Sequence, residues 1–238
     1  MALPKRERLV MSVGGSLVCP GDKPDANFLK KFKKFVKKLL KRRKHLQLFL
    51  IIGGGGVARN YIEAASEVVG KNKLSDEGAD WLGIDATQLN AGLVRWIFDG
   101  IARPKVITHY DALPTADERV VVGCGWKPGW STDFDAVLVC KHYEVETLIN
   151  LSNIDQVCDK DPNEHSRAKP LHHMAWKEFQ ELVGKKWTPG LNTPFDPVAS
   201  LEAAKLGLKV VILRGDNLKN LDQYLQNKPF VGTTVGPA

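Results

Sequence analysis

Three times in the first half of the chain an apolar run stops at a glycine-bearing turn, and this repeated pattern restricts the folds open to it. Leu9-Val10-Met11-Ser12-Val13 leads to Gly14-Gly15-Ser16, Leu46 to Ile52 leads to Gly53-Gly54-Gly55-Gly56, and Val120-Val121-Val122 leads to Gly123-Cys124-Gly125. Short apolar runs separated by amphipathic stretches read as buried strands. A glycine at the turn lets backbone N–H groups close on phosphate oxygens that a side chain would hold away, above all where a helix follows. Three such turns suggest one site for several phosphates, and so a nucleotide or phosphorylated metabolite as ligand.

The alternation runs from end to end. Strands are expected near Leu9 to Val13, Leu46 to Ile52, Lys105 to Thr108, Arg119 to Val122, Thr147 to Leu151 and Lys209 to Leu213. Helices are expected over Ala26 to Lys44, Val57 to Val69, Asp80 to Ile101, Ser131 to Lys141, Ala175 to Leu182, Pro197 to Leu206 and Leu218 to Gln226. This is the pattern of an α/β protein, a largely parallel sheet covered by helices on both faces. At 238 residues, 43% hydrophobic and 26% charged, the chain can build a substantial core, which excludes disorder of the whole. No repeat or low-complexity linker divides it, and the stretch Gly184 to Pro194 reads as a mobile lid or a plain connection.

The net charge of +7 is concentrated in one stretch, Lys30 to Lys44, where ten lysines and arginines interleave with Phe28, Leu29, Phe32, Phe35, Val36, Leu39 and Leu40 at helical spacing. That reads as the solvated outer face of a packed helix rather than a nucleic-acid or membrane surface, because its aromatics fall on the apolar stripe. Cys19, Cys124, Cys140 and Cys158 show no CxxC pairing, and neither they nor the six histidines have the spacing of a structural zinc site. Four scattered cysteines fit free thiols in a reducing cytosol. The apolar stretch behind the charged start is short for a signal peptide, and no run nears the roughly 20 residues of a membrane span. A soluble intracellular protein without metal ligands is expected.

The order and neighbours of the glycine turns carry more than the turns alone. Ser12-Val13-Gly14-Gly15-Ser16 is followed by Ile52-Gly53-Gly54-Gly55 with Ala58-Arg59, then by Gly83-Ile84-Asp85-Ala86-Thr87-Gln88-Leu89-Asn90-Ala91 and Pro128-Gly129-Trp130-Ser131-Thr132-Asp133. Next come Ser152-Asn153-Ile154-Asp155-Gln156-Val157-Cys158-Asp159-Lys160-Asp161-Pro162 and Phe195-Asp196-Pro197-Val198-Ala199. From about Leu9 to Val235 this series resembles the amino acid kinase family, and within it the uridylate kinases of the archaeal-type branch. The resemblance implies a three-layer αβα sandwich and Mg2+-dependent transfer of the γ-phosphoryl group of ATP to UMP, in pyrimidine nucleotide synthesis. It also implies a cytoplasmic homo-oligomer, usually a hexamer.

By position the resemblance puts Gly15, Ser16, Gly55 and Arg59 toward the ATP phosphates, and Ser152, Asn153, Cys158 and Asp161 around its adenosine. It puts Gly54 at the UMP phosphate, Asp80 at the UMP ribose, and Gly125, Trp126, Lys127, Pro128, Gly129, Trp130, Ser131 and Thr132 in the loop that wraps UMP. Asp133 matches the aspartate that orients the phosphoryl-binding groups. One domain with two lobes follows, an acceptor lobe of about residues 1–122 and a nucleotide lobe of about residues 123–238.

Several of these positions have a chemical reason of their own. Arg59 would sit one turn into a helix, where its planar fork can bind two phosphate oxygens or serve a structural ion pair. Ser131 and Thr132 open a helix and can cap it, bind a phosphate, or both. Asp133 in the first turn also suits the helix dipole, and Asp196 before Pro197 reads as an N-cap first. Asn153, Asp155, Asp159 and Asp161 crowd the end of a strand, able to hold ribose hydroxyls, water on magnesium or only their own loop. Trp126 and Trp130 can stack on a base or pack the loop down, and Lys127 between them is a cation for the transferring group or a solvated lysine.

The chain departs from the family where charge matters most. Many amino acid kinases carry a lysine two residues before the first Gly-Gly and another a few residues after the last Asp-Pro, where this chain has Ser12 and Leu201 and only a more distant Lys205. Either Lys127, Arg59 and magnesium take over as catalytic charges with Asp133, or catalysis is weak. Gln156 and Cys158 also differ from the usual glycine and aromatic. The alternatives are a kinase of the same fold for another small phosphate, and a non-catalytic nucleotide-binding or oxyanion-storage protein.

Overall fold

Alternation along the first strand sets the layers. In β1 (Glu7–Val13), Leu9, Met11 and Val13 join one buried cluster while Val10 joins a second on the opposite face, the period-2 signature of a sheet covered on both sides. A computed structural model describes residues 6–70, 73–114, 117–162, 164–191 and 193–237. Its strands are β1, β2 (Leu46–Ile52), β3 (Val120–Gly123), β4 (Thr147–Ser152), β5 (His173–Ala175), β6 (Lys209–Arg214) and β7 (Thr233–Gly236), in one sheet of order β3-β2-β1-β4-β6-β7-β5. The five from β3 to β6 in that order are parallel, β7 runs antiparallel to β6, and β5 pairs parallel with β7.

The helices are α1 (Gly15–Val18), α2 (Ala26–Arg42), α3 (Gly55–Val69), α4 (Asp76–Ile97), α5 (Thr132–Tyr143), α6 (Trp176–Val183), α7 (Pro197–Lys205) and α8 (Leu218–Leu225). On one face α2, α4 with the Phe98 that follows it, and α8 bury Phe32, Val36, Leu39, Val94, Phe98, Leu221 and Leu225 in one cluster with side chains of β1 and β2. On the other, α5, α6 and α7 bury Ala136, Val137, Val139, Phe179, Ala199 and Ala203. The result is a three-layer αβα sandwich. Local chemistry starts the helices where the fold needs them: Asp25 caps α2 by accepting from Asn27 and Phe28 N–H at 2.9 Å, and Ser75 caps α4 through Gly78 N–H at 3.1 Å. The lysines of α2 lie on the face away from its buried Phe28, Phe32, Val36 and Leu39.

Two expectations need correction, and three short elements are new. Lys105 to Thr108 is not a strand: only Ala102 and Ile107 bridge to Val120 and Gly123, because Pro104 between them has no N–H to continue the ladder. The helix expected from Asp80 begins a turn earlier at the Ser75 cap and ends at Ile97, short of Gly100, which has φ +83°. β5, β7 and the single turn of α1 were not anticipated, being three or four residues long with no apolar run to mark them.

In this topology the chain leaves β1 toward β2 and β3 on one side and later returns to build β4 and β6 on the other. The switch point lies between β1 and β4, where parallel sheets open a crevice beyond the strand C-terminal ends. All three glycine turns are at that edge.

Candidate functional site

The first two glycine turns touch each other. Gly53 N–H donates to Val13 carbonyl at 3.0 Å, Gly56 N–H donates to Cys19 carbonyl at 2.7 Å, and Gly14 N–H reaches across the switch point to Leu151 carbonyl at 2.9 Å. A Cβ on Gly15 would lie 2.6 Å from the carbonyl carbon of Gly53 and from the nitrogen of Gly54. No side chain fits between the two turns, so glycine is required there by close approach of backbone to backbone.

Two polar residues on the buried side of α4 hold the second and third turns in place. Asn90 Nδ2 donates to the carbonyls of Gly53 and Gly54 at 3.0 and 2.9 Å. Thr87 Oγ1 accepts from Gly125 N–H at 2.8 Å while donating to Ile84 carbonyl at 2.6 Å. Sequence reasoning quoted both within a motif without giving them a role. The signal was there: a buried Asn and a buried Thr at i and i+3 in a helix must find partners, and turn carbonyls and amides are what lies opposite.

A cleft of two connected parts opens above the turns. The outer part, about 540 Å³, is lined by residues that include Gly15, Ser16, Gly54, Gly55, Arg59, Asp80, Gly125, Trp130, Ser131, Thr132, Asn153 and Trp187. The inner part, about 180 Å³, adds Ser12, Asp133, Asn150, Ser152 and Asp196. Arg59 lies at the rim, its guanidinium donating to Ser16 Oγ at 3.3 Å and Pro20 carbonyl at 3.0 Å. Ser131 caps α5 through Asp133 N–H at 3.1 Å.

Asp133 is the hub of the inner part. Its Oδ1 accepts from Ser12 Oγ at 2.7 Å and Asn150 Nδ2 at 3.4 Å, and its Oδ2 accepts from Asp196 N–H at 3.2 Å. It thus joins β1, β4 and the start of α7. Asp196 caps α7 by accepting from Val198 and Ala199 N–H at 2.6 and 3.1 Å, and its other oxygen takes Ser131 N–H at 2.5 Å. Asp135 is buried behind them with Trp130 Nε1 on one oxygen at 3.1 Å and no partner among the described residues on the other.

Burial of three neighbouring carboxyls, against which these hydrogen bonds work only in part, raises all their pKa values. Asp133 is pushed up to about 7, Asp135 well above the carboxylate range, and Asp196 upward in the same sense. No cation lines the inner part among the described residues. The folded Asp133 therefore keeps its proton up to about pH 7 while the unfolded group loses it near 3.8. Stability is then fully present below the lower value and falls as pH climbs between the two. Chemical denaturation should give a higher midpoint at about pH 5 than at about pH 8; equal midpoints would remove the buried-proton account.

Not every expected site residue lines the cleft. Trp126 packs toward Tyr110 and Trp130 with ring centroids 6.1 and 6.2 Å away and lines neither part, while Trp130 leans on Phe134 at 4.7 Å and still lines the outer part. Lys127 is exposed, with Nζ 3.7 Å from the centroid of the Trp126 ring. Pro128, Gly129, Cys158 and Asp161 are also outside both linings, although Gly129 N–H donates to Asp80 Oδ2 at 2.7 Å and Cys158 bridges to Pro170.

The sequence model of the amino acid kinase family matches residues 7–214, all the strands from β1 to β6. The chain belongs to the amino acid kinase family. It is 32% identical over 231 residues to the uridylate kinase of Methanospirillum hungatei, with 95% of this chain and 94% of that one covered. With the uridylate kinase of Thermoplasma volcanium it shares 33% over 232 residues, at 96% and 97% coverage. Among solved structures, the uridylate kinase of Archaeoglobus fulgidus superposes with a TM-score of 0.78 at 27% identity, over 96% of this chain and 99% of that one. The UMP kinase of Ureaplasma parvum, at 16% identity and a TM-score of 0.72, shares the fold. Ser12, a neutral donor, is the β1 side chain on Asp133, and no cation lines the inner part among the described residues, so that carboxyl is hydrogen-bonded but uncompensated.

Proposed function

We propose that the chain is a UMP kinase, transferring the γ-phosphoryl group of ATP to UMP. An oxygen of the UMP phosphate forms a bond to the γ-phosphorus as the bond from that phosphorus to the β–γ bridging oxygen breaks. The electron pair leaves on ADP, and UDP is the second product. The observation that carries this reading is the contact between the turns after β1 and β2 at the switch point, with one cleft opening above both. The archaeal uridylate kinases that the chain resembles across its length supply the acceptor.

ATP lies on the β1 and β4 side, its phosphates at Gly15, Ser16, Gly55 and Arg59 and its nucleoside beyond Ser152 and Asn153. UMP lies on the β2 and β3 side, with its phosphate at Gly54, its ribose at Asp80, and the turn from Gly125 to Thr132 around it. Magnesium enters with ATP as part of the substrate, on phosphate oxygens; among the described residues no group of three or more His, Cys, Asp or Glu is placed to hold a metal ion. Phosphoryl transfer needs alignment and charge rather than covalent chemistry from the protein. The glycine turns supply alignment, and Asp133 fixes Ser12, Asn150 and the start of α7 relative to one another.

The chain acts in the cytoplasm, in pyrimidine nucleotide synthesis, as a homo-oligomer that the family makes a hexamer. Four free cysteines support the compartment. Tyr61, Val68, Trp81, Leu89 and Trp96, all exposed and all on α3 and α4, support assembly through that pair of helices. Two lobes, one for each nucleotide, divide near β3.

The test is coupled ADP release with ATP and magnesium against UMP, CMP, dUMP and isopentenyl phosphate. ADP should form with UMP, with at least about a tenfold preference in kcat/KM over the others. Tight ATP binding without turnover on any acceptor would instead establish a storage or sensing protein, the reading that the uncompensated carboxyls of the inner cleft favour.

A further inference from the structure

The inner cleft presents Asp133 and Asp196 to any phosphate that enters, and no cation lines it among the described residues. Among the described residues the outer part has one cation in its lining, Arg59, already engaged at the rim. Two nucleotides bring several negative charges to this place, and the transition state spreads charge over the γ-oxygens. Beyond Arg59 and the magnesium that enters with ATP, further positive charge has to come from outside the walls.

One irregular segment contributes to both parts of the cleft: Trp187 and Leu191 line each, with Pro189 and Gly190 also lining the outer one. It is bracketed by Gly184 with φ +82° and Gly190 with φ +76°, where an added Cβ would meet nothing within 4 Å, so glycine serves the backbone conformation rather than close packing. Trp187 belongs to neither buried cluster. Its indole Nε1 donates to Asp80 Oδ1 at 3.1 Å, while Gly129 N–H takes the other oxygen at 2.7 Å. One carboxylate thus latches the strap and the acceptor loop together across the mouth of the cleft. Directly before the indole stand Lys185 and Lys186, both exposed, each with a charge on a flexible four-carbon stem.

We propose that Gly184–Leu191 is a cationic strap, and that Lys185 and Lys186 supply the positive charge to the transferring phosphoryl group that the walls of this cleft lack. The inference rests on the kinase reading for its reaction and on the geometry of the strap for its residues. Trp187 sets the register, so that a ribose hydroxyl arriving at Asp80 competes with the indole and couples acceptor binding to movement of the lysines. The chemistry recognised is a polyphosphate chain, not the nucleoside.

The double variant Lys185→Gln with Lys186→Gln tests this in the full chain. Its kcat should fall about 100-fold, with half-saturating UMP changed by less than about threefold. Binding of a non-hydrolysable ATP analogue should weaken about tenfold and that of AMP stay unchanged, since AMP lacks the distal phosphates. Lys185→Arg with Lys186→Arg should retain both properties, which a merely structural lysine pair would not require. A Gln variant within about threefold of the parent in both turnover and analogue binding overturns the proposal. A parent that releases no ADP with UMP overturns the kinase reading instead, and the comparison of analogue with AMP still decides the strap.

Discussion

Gly15→Ala should lower UMP-dependent ADP release by about 100-fold, the loss expected when reacting groups are displaced by about an ångström. The new methyl would stand 2.6 Å from backbone atoms of Gly53 and Gly54 and closer still to the nitrogen of Gly55. Backbone cannot rotate away as a long side chain can, so the turns after β1 and β2 must separate. The cost in stability is that of overpacking, about 1–3 kcal/mol, which leaves the protein folded. Gly21→Ala is the control, because a Cβ there meets nothing within 4 Å; it should keep the parent rate. Gly15→Ala with parental kcat and parental affinities would mean that the contact of the two turns has no part in positioning phosphates.

Asp133→Asn should cut kcat by about 100-fold while half-saturating UMP moves only modestly, because in the proposed reaction the side chain orients the reaction centre and lies off the acceptor side. The amide oxygen still accepts from Ser12 and Asn150, but the amide nitrogen then faces Asp196 N–H, donor against donor, where Oδ2 accepted at 3.2 Å. The start of α7 loses its tie to α5 on that side. The same variant should become more stable relative to the parent as pH rises from about 5 to about 8, since it no longer has a buried carboxyl to ionise. Falling turnover with rising relative stability is a combination that simple damage to the core would not produce. Unchanged turnover would remove Asp133 from the reaction.

Much of the site was legible because its parts are local. Strands β1, β2, β3, β4 and β6 are buried on both faces and parallel, so each is a nearly continuous apolar run, and the turn after each falls at the strand C-terminal edge as a matter of topology. The caps at Ser131 and Asp196 were legible for the same reason, each being written within three residues. What could not be read depends on distant partners. The bond from Trp187 to Asp80 spans 107 residues, and the Asn90 contacts with Gly53 and Gly54 span 37 and 36. Lys127 read as a cation for the transferring group or as a solvated lysine, and the contact of its amine with the Trp126 ring comes from the fold. Strands β5 and β7, with His173-Met174-Ala175 and Thr233-Thr234-Val235-Gly236, are held by their neighbours in the sheet rather than by propensity.

Selective 15N labelling of glycine tests the central claim most directly, since the chain has 21 glycines and the proposed nucleotide site lies at their turns. With peaks assigned by single substitutions, a non-hydrolysable ATP analogue with magnesium should shift Gly15 and Gly55, and UMP should shift Gly54 and Gly125. Gly21, Gly100 and Gly207 should stay in place with either ligand. Shifts confined to glycines away from the edge above β1 and β2, or no shift at saturating concentrations of both nucleotides, would contradict the account.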